Sequence, residues 1–408
     1  MKLNAEYESL VLTTVELAAL ARQPGLTENA LSLVPAVEPK AADAILAEFA
    51  RLSKEQRDNY SRAIAMLAAP SQVVRLHYSV ADSLVTRLYL AWRPESKDAV
   101  AALALTDGNL AVSLQPADKL DRMLADVLAV NTNLLSANLN VPLSAAATIV
   151  LVAVMDYFHY AHHFSMLTHT APAESFSRHD VMERLADAAS DDFRWPLLLL
   201  DKVLPAEVAG SLNEAAVTAA LEELCQAGLL GKNEAEDNKP ELVLYSLTGG
   251  AETISDSLLH DVSKAALSVS SPVGDGAVGH EAMLLVRGAS YLWLFGLGAR
   301  QGLVASIDTA QFSEVLQKFL APPAKMPAAA VSRAEAAGRP SGSAGRAAEA
   351  KAEVICSKCG TKNPAEAKFC AKCGAAFVAT PKTNFCPKCG DPVKAGENFC
   401  DKCGLKLS

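Results

Sequence analysis

Apolar positions recur with helical spacing over residues 4–22, 39–52 and 54–68, with Pro35, Pro39 and Pro70 as punctuation. From Val73 the period changes. Val73–Tyr78 and Ser83–Trp92 place Val, Leu, Tyr and Trp at alternating positions, the pattern of half-buried strands. Ala99–Leu105 and Leu110–Leu114 flank Asp107-Gly108-Asn109, a hairpin signal, and helical spacing returns over 117–130. A similar order follows further on. Helices fit 178–189, 195–204 and 213–228, and strands fit Leu242–Leu247 and Lys264–Val269. Glu281–Val286 and Tyr291–Leu297 pair around Gly288-Ala289, Leu303–Ile307 adds a strand, and Thr309–Phe319 closes with a helix. Helices, a meander and a closing helix thus occur twice, which reads as an internal duplication with little residue identity between the halves.

Between the halves lies NVPLSAAATIVLVAVMDYFHYAHHFSM, residues 140–166. Its uncharged apolar run from Val141 to Met155 falls short of the roughly 20 residues that span a bilayer. A buried central helix ended by Asp156 and the histidines is expected instead. Residues 321–353 are dominated by Ala, Pro, Gly and Ser, the composition of a disordered linker.

The expected fold class is an α+β body with helical bundles and antiparallel β-meanders, a flexible linker and a C-terminal pair of zinc ribbons. The expected domains are an N-terminal α/β half (1–140), a central helix and connection (141–175) and a second α/β half (176–320). The linker (321–353) and the ribbon module (354–408) follow.

Eight of the nine cysteines carry the one chemistry that the chain spells out. Cys356, Cys359, Cys370 and Cys373 read C-x2-C-x10-C-x2-C, and Cys386, Cys389, Cys400 and Cys403 repeat that spacing 30 residues later. Two Cys-x-x-Cys turns close a tetrahedral four-thiolate shell, which suits a structural zinc ion and leaves no open coordination position. Gly360, Gly374, Gly390 and Gly404 follow each second cysteine and allow backbone N–H groups to turn toward sulfur. Units this short bury too little to fold alone, so two ions must supply much of the folding free energy. Iron in a rubredoxin-like site uses similar knuckles, and spacing alone leaves it open.

ICSKCGTKNPAEAKFCAKCGAAF and FCPKCGDPVKAGENFCDKCGLKL closely resemble the double zinc ribbon (DZANK-type) family over residues 354–406. That resemblance implies zinc binding and a small two-ribbon module, and no particular reaction. The body faintly resembles the chaperones of type VII secretion systems, through element order and the strand–helix segment Leu303–Leu320.

Charge narrows the use of the ribbons. Residues 351–408 hold ten lysines, no arginine and five acidic side chains, a formal +5. Four thiolates around one divalent ion leave each site at −2, so the metal-loaded module is near +1. The remainder of the chain stands at −14 against a total of −9. Acidic balance and missing arginine disfavour nucleic acid.

The remaining candidates are weak. Asp156, His159 and His163 would share a helix face that could hold a metal, without any partnering motif. The stretch 176–250 has the order of a winged helix, yet its recognition helix would offer Asn213, Glu214, Glu222, Glu223 and Gln226 with no base. Cys225 reads as a small core residue. No catalytic signature occurs, and the opening MKLNAEYESL shows no signal segment. The expectation is a non-enzymatic, cytoplasmic, bacterial-type adaptor or chaperone-like protein with protein partners. A nucleic-acid-associated regulator and an enzyme with an unrecognised site are the alternatives.

Overall fold

The computed structural model describes residues 1–320 except 5–7, 24, 40, 81–82, 94–98, 107, 132–133, 188–193, 205–207, 209–211, 234–242, 274–276 and 299–300; beyond 320 it describes four short strands. The chain separates into two compact units, Met1–Met326 and Pro327–Ser408.

The first unit opens with strands β1 (Lys2–Asn4) and β2 (Ser9–Leu12), followed by helices α1 (Thr14–Ala21), α2 (Ala42–Phe49) and α3 (Lys54–Ala68). The helix expected over 4–22 is therefore corrected. Leu10 and Leu12 alternate into the core as strand residues, and the helix starts only where Thr13 caps it. Thr13 Oγ1 accepts from the Glu16 N–H at 3.2 Å while the Glu16 carboxylate accepts from the Thr13 N–H at 2.8 Å. Ser53 and Gln56 form the same reciprocal cap on α3. A meander follows: β3 (Gln72–Val80), β4 (Ser83–Trp92), β5 (Ala99–Thr106), β6 (Asn109–Pro116) and then α4 (Lys119–Val127).

The second half starts with β7 (Asn140–Ser144) and α5 (Ala145–Thr168). Here too the boundaries differ from expectation. Val141–Leu143 belong to a strand, and the helix runs on through Asp156 and the histidines for 24 residues. Ser144 caps it by accepting from the Ala147 N–H at 3.1 Å, and no proline or glycine interrupts residues 145–168. Then come β8 (Phe176–Ser177), α6 (Arg178–Asp187), α7 (Pro196–Asp201), α8 (Glu214–Gln226), β9 (Leu230–Asn233), β10 (Leu244–Leu247) and α9 (Gly250–Leu258). A second meander, β11 (Ser263–Pro272), β12 (Val278–Arg287), β13 (Leu292–Leu297) and β14 (Gln301–Ile307), leads to α10 (Thr309–Leu320). The sequence pattern leaves β7, β8, β9 and α9 unrecognised, because each is short or merges with a stronger neighbouring signal.

Eleven strands form one antiparallel sheet in the order β1-β2-β6-β5-β4-β3-β11-β12-β13-β14-β7. Counted outward from the central β3–β11 pair, order and register agree on both sides as far as β2 and β7, and β1 has no counterpart. The pairs Leu90–Ala102 and Ala102–Ser113 occupy the places of Leu285–Leu294 and Leu294–Ala305. At the flanks, Leu12 opposite Leu110 answers to Leu143 opposite Gly302, so the β2–Thr13–α1 corner has its counterpart in β7–Ser144–α5.

Helices cover both faces. On one face, α1–α3 bury Leu103, Leu110 and Val112 of the first meander, and α5–α9 bury Leu284, Trp293 and Phe295 of the second. On the other, α4 and α10 share one core, in which Leu120 and Leu124 stand where Phe312 and Leu316 stand in the second half. From Ala147 to Asp156 every residue of α5 is buried, as in a helix surrounded by neighbours. Among the described residues no helix is long and apolar enough to cross a membrane.

Strands β8-β10-β9 form a separate three-stranded sheet beside α6 and α8. Helix α8 packs against α5 through Val217, Ala220, Leu221 and Leu224, and Glu223 accepts from the Ser144 N–H and hydroxyl, each at 2.6 Å. Cys225 is half-buried there, and burial pushes its thiol pKa up.

Gly302 lets β14 lie directly on the first turn of α5. A Cβ there would collide with Thr148 Oγ1 and sit 2.9 Å from the Ser144 carbonyl oxygen. Gly302→Ala is expected to lower unfolding free energy by about 1–3 kcal/mol in urea titrations, as overpacking does. Gly108→Ala, where the space is open, should act only through its positive φ.

Candidate functional site

The second unit contributes two hairpins. Strands β15 (Glu353–Ile355) and β16 (Lys362–Pro364) pair with Ile355 opposite Lys362, and β17 (Asn384–Phe385) and β18 (Pro392–Val393) pair with Phe385 opposite Pro392. The second register is the first moved along by one repeat of the cysteine pattern. In sequence, the connection of each hairpin carries the first Cys-x-x-Cys of its set. Cys356, Cys359, Cys370, Cys373, Cys386, Cys389, Cys400 and Cys403 themselves lie outside the described residues, as does the linker expected over 321–353, apart from Glu353 in β15.

Residues 356–404 match the double zinc ribbon family. No curated protein matches the chain. The match implies a structural zinc-binding module, and the donor set fits that ion, since thiolate sulfurs are soft ligands that favour a closed tetrahedral shell. The knuckle cysteines of the two ribbons would hold the metal. Its role there is to cross-link chain that has little core of its own.

In the first unit, the exposed half of α5 forms the rim of a cavity of about 600 Å³. Its walls come from α5, from Arg194 and Trp195 just before α7, and from the α9–β11 corner with Leu259, Asp261 and Lys264. Trp195 stands edge-on to His159 with centroids 5.3 Å apart, and the His159 and His163 rings lie 4.7 Å apart. Lys264 is the second residue of the inner strand β11, so its side chain is only 3% exposed, and its Nζ donates to Asp261 Oδ2 at 2.6 Å. Tyr160, Phe164 and Leu167 follow one another along the exposed face of α5, and Leu167 is 81% exposed. Tyr160 stacks on Phe164 and carries the Arg184 guanidinium 4.6 Å from its ring centroid.

The sequence groups Asp156, His159 and His163 by helical spacing, and the structure separates their tasks. Asp156 is fully enclosed, and its Oδ2 accepts from the Leu197 N–H at 2.9 Å, tying α7 to α5. Its Oδ1 has no partner. His159 and His163 stack toward the cavity instead. Among the described residues no group of three or more His, Cys, Asp or Glu could hold a metal, so the α5 trio is not a ligand set. Sequence reading also misses Trp195, Asp261 and Lys264. Lysine in an otherwise apolar strand, KAALSV, is the one signal that could have drawn attention.

Burial pushes the Asp156 carboxyl up to about 8, against the N–H bond from Leu197 and the nearby charges of Lys264 and Arg184. Burial pushes His159 down to about 4, helped by His163 and Lys264, and His77 on β3 falls to about 4, also mainly through burial. The consequences for stability oppose one another. Between an ordinary 3.8 and about 8, folded Asp156 keeps a proton that the unfolded chain releases, so its contribution falls as pH rises. The histidines lose stability as pH drops from 6.5 toward 4. Above 6.5 only the Asp156 trend among these three remains. Asp156→Asn, neutral throughout and still able to accept from Leu197, is expected to remove a loss of about 1–2 kcal/mol between pH 6.5 and 8 in urea unfolding. Parallel wild-type and variant slopes would contradict this assignment.

Proposed function

We propose that the chain is a non-enzymatic cytoplasmic adaptor that joins two partners, one on the acidic body and one on a C-terminal pair of zinc ribbons. The body contact is the exposed half of α5. The observation that supports it is the run Tyr160, Phe164, Leu167 with neighbouring Met166, four large apolar side chains left in water on one helix end. Residues 157–172 contain no acidic side chain and four histidines, in a body whose net charge is strongly negative. The partner that fits is a protein segment with an apolar face, since an exposed hydrophobic stripe at a helix end selects an apolar complement. The stripe is rich in Phe, Tyr and Met, the residue types that dominate contact surfaces.

The ribbons supply a second contact joined through the Ala-, Pro- and Gly-rich segment 321–353. Linking two modules turns the second encounter into an intramolecular one and raises overall avidity by about 10²–10⁴-fold without new contacts. The near-neutral charge of the metal-loaded module and its lack of arginine support a protein target over a phosphate backbone. The two halves of the body, with matching strand order and register, fit the descent of both from one ancestral unit.

Three results test this reading. Metal analysis of the purified chain should return about two zinc ions per molecule, as two four-thiolate shells require. Affinity capture with the intact chain, a Phe164→Glu/Leu167→Glu variant and a Cys356→Ser/Cys386→Ser variant should lose one set of partners with each change. Tight binding of nucleic acid with a steep inverse salt dependence, or capture indifferent to both changes, would sink the adaptor reading.

A further inference from the structure

We propose that the cleft beside α4 binds a fatty carboxylate, a single hydrocarbon chain with an anionic head. The inference stands apart from the adaptor reading, because α4 covers the face of the sheet opposite to α5. It begins with a comparison of the two halves. The strand pairs that align the meanders put Ala102 at the place of Leu294, Ala111 at that of Leu303 and Ser113 at that of Ala305. Gln115 takes the place of Ile307, and on the helix Lys119 and Leu120 take those of Gln311 and Phe312. Where α10 closes on the sheet with Phe312 against Leu294, the first half keeps a cleft of about 580 Å³. Its floor includes Leu88, Leu90, Ala102 and Ala111, and Leu120 and Met123 form its α4 wall.

A mere packing defect would change volume alone. Here polarity changes at the same place, and the new polar groups are joined. Lys119 Nζ donates to Gln115 Oε1 at 2.6 Å, and Gln115 Nε2 donates to Ser113 Oγ at 2.7 Å. The Ser113 hydroxyl accepts in that chain and keeps its own proton to give. Ser9, one step beyond the Leu10–Val112 pair, brings a second hydroxyl to the lining. An apolar cleft with a few polar groups gathered at one end is the usual form of a small-molecule site. The apolar floor takes a hydrocarbon body, and the start of α4 offers hydrogen-bond donors to its head. Lys119 is the one charged side chain of the described lining, and its printed partner is the neutral Gln115. An anionic head answers that charge, a cationic head is repelled by it, and a neutral head leaves the ammonium to water. Because Lys119 is exposed, the charge contact adds little and the buried chain supplies most of the affinity.

The test titrates the full-length chain by calorimetry with hexanoate, octanoate, decanoate, decanol and decylammonium. Saturable binding is expected, tightening about fourfold with each added methylene along the acid series, as burial of hydrocarbon provides. Decanoate should bind about two- to fivefold more tightly than decanol, the worth of an exposed charge contact, and decylammonium more weakly than either. Ala102→Leu/Ala111→Leu gives the cleft the side chains of the second half and should abolish saturable decanoate binding with the melting temperature kept. Ala111→Leu alone, at a half-buried position, should weaken decanoate at least about tenfold and decides the matter where the double variant does not fold. Lys119→Gln, again the residue of the second half, should bring decanoate down to the affinity of decanol. No saturable binding, decylammonium binding as tightly as decanoate, or decanoate binding indifferent to the filled cleft would overturn the proposal. The Phe164→Glu/Leu167→Glu variant should bind decanoate as the unaltered chain does, so a failure of the adaptor reading and a failure of this site are told apart.

Discussion

The body depends on one strand pairing. Strand β3 meets β11 antiparallel over eight residue pairs, from Val73 opposite Ser270 to Val80 opposite Ser263, and no other described strand pair joins the two meanders. Both strands are interior, so their hydrogen-bonding edges are satisfied and both faces must be covered. On one face Val74, Leu76, Ala265 and Leu267 lie under α4 and α10, where a shared core continues across the junction. The opposite parity is different. His77, Ser79, Lys264, Ser268 and Ser270 all point to the other face, at the seam between the two helical groups, and all are buried. Lys264 and the cavity above it follow from that seam: a sheet face left polar between two helix packs can hold an ion pair that a continuous apolar layer could not.

Much of this was legible where local signals agree. Helix α3 matches its expected span because Ser53 and Gln56 mark its start and Pro70 follows its end. Strand β4 matches because Val, Leu, Tyr and Trp alternate along it. The failures also have local causes. Leu10 and Leu12 sit directly before the Thr13 cap, so strand and helix fuse into one apolar stretch when read by period alone. Val141–Leu143 fuse with the start of α5 in the same way. At its other end, polar histidines suggested termination, although histidine is tolerated in helices and the chain lacks a breaker there. The cavity was illegible for a different reason. His159, Trp195 and Lys264 come from three separate elements, and spacing can group only residues on one.

The matching halves show how equal registers produce unequal surfaces. Ala102, Ala111 and Gln115 occupy the sheet positions of Leu294, Leu303 and Ile307, while Leu120 and Val127 on α4 stand where Phe312 and Phe319 stand on α10. Smaller side chains on both layers leave a cleft of about 580 Å³ beside α4, partly bounded by Ser113 and Gln115. In the second half Leu294, Leu303, Ile307, Phe312 and Phe319 stand at the positions of Ala102, Ala111, Gln115, Leu120 and Val127. Strand order is thus fixed by backbone pairing, and surface relief is set by side-chain volume alone.

The two units hold themselves together by different physics. The body buries Leu, Val and Ala from ten helices and two sheets among the described residues, and its size makes such burial sufficient. The ribbon segment has two- and three-residue strands and few large apolar side chains, too little for a core. The zinc binding that the double zinc ribbon match implies would replace burial there, and would bring a dependence on thiol protonation and on available metal. Two units stabilised by unrelated means can gain or lose structure separately. On the proposed adaptor reading, the body contact would rest on burial and the ribbon contact on metal and redox conditions.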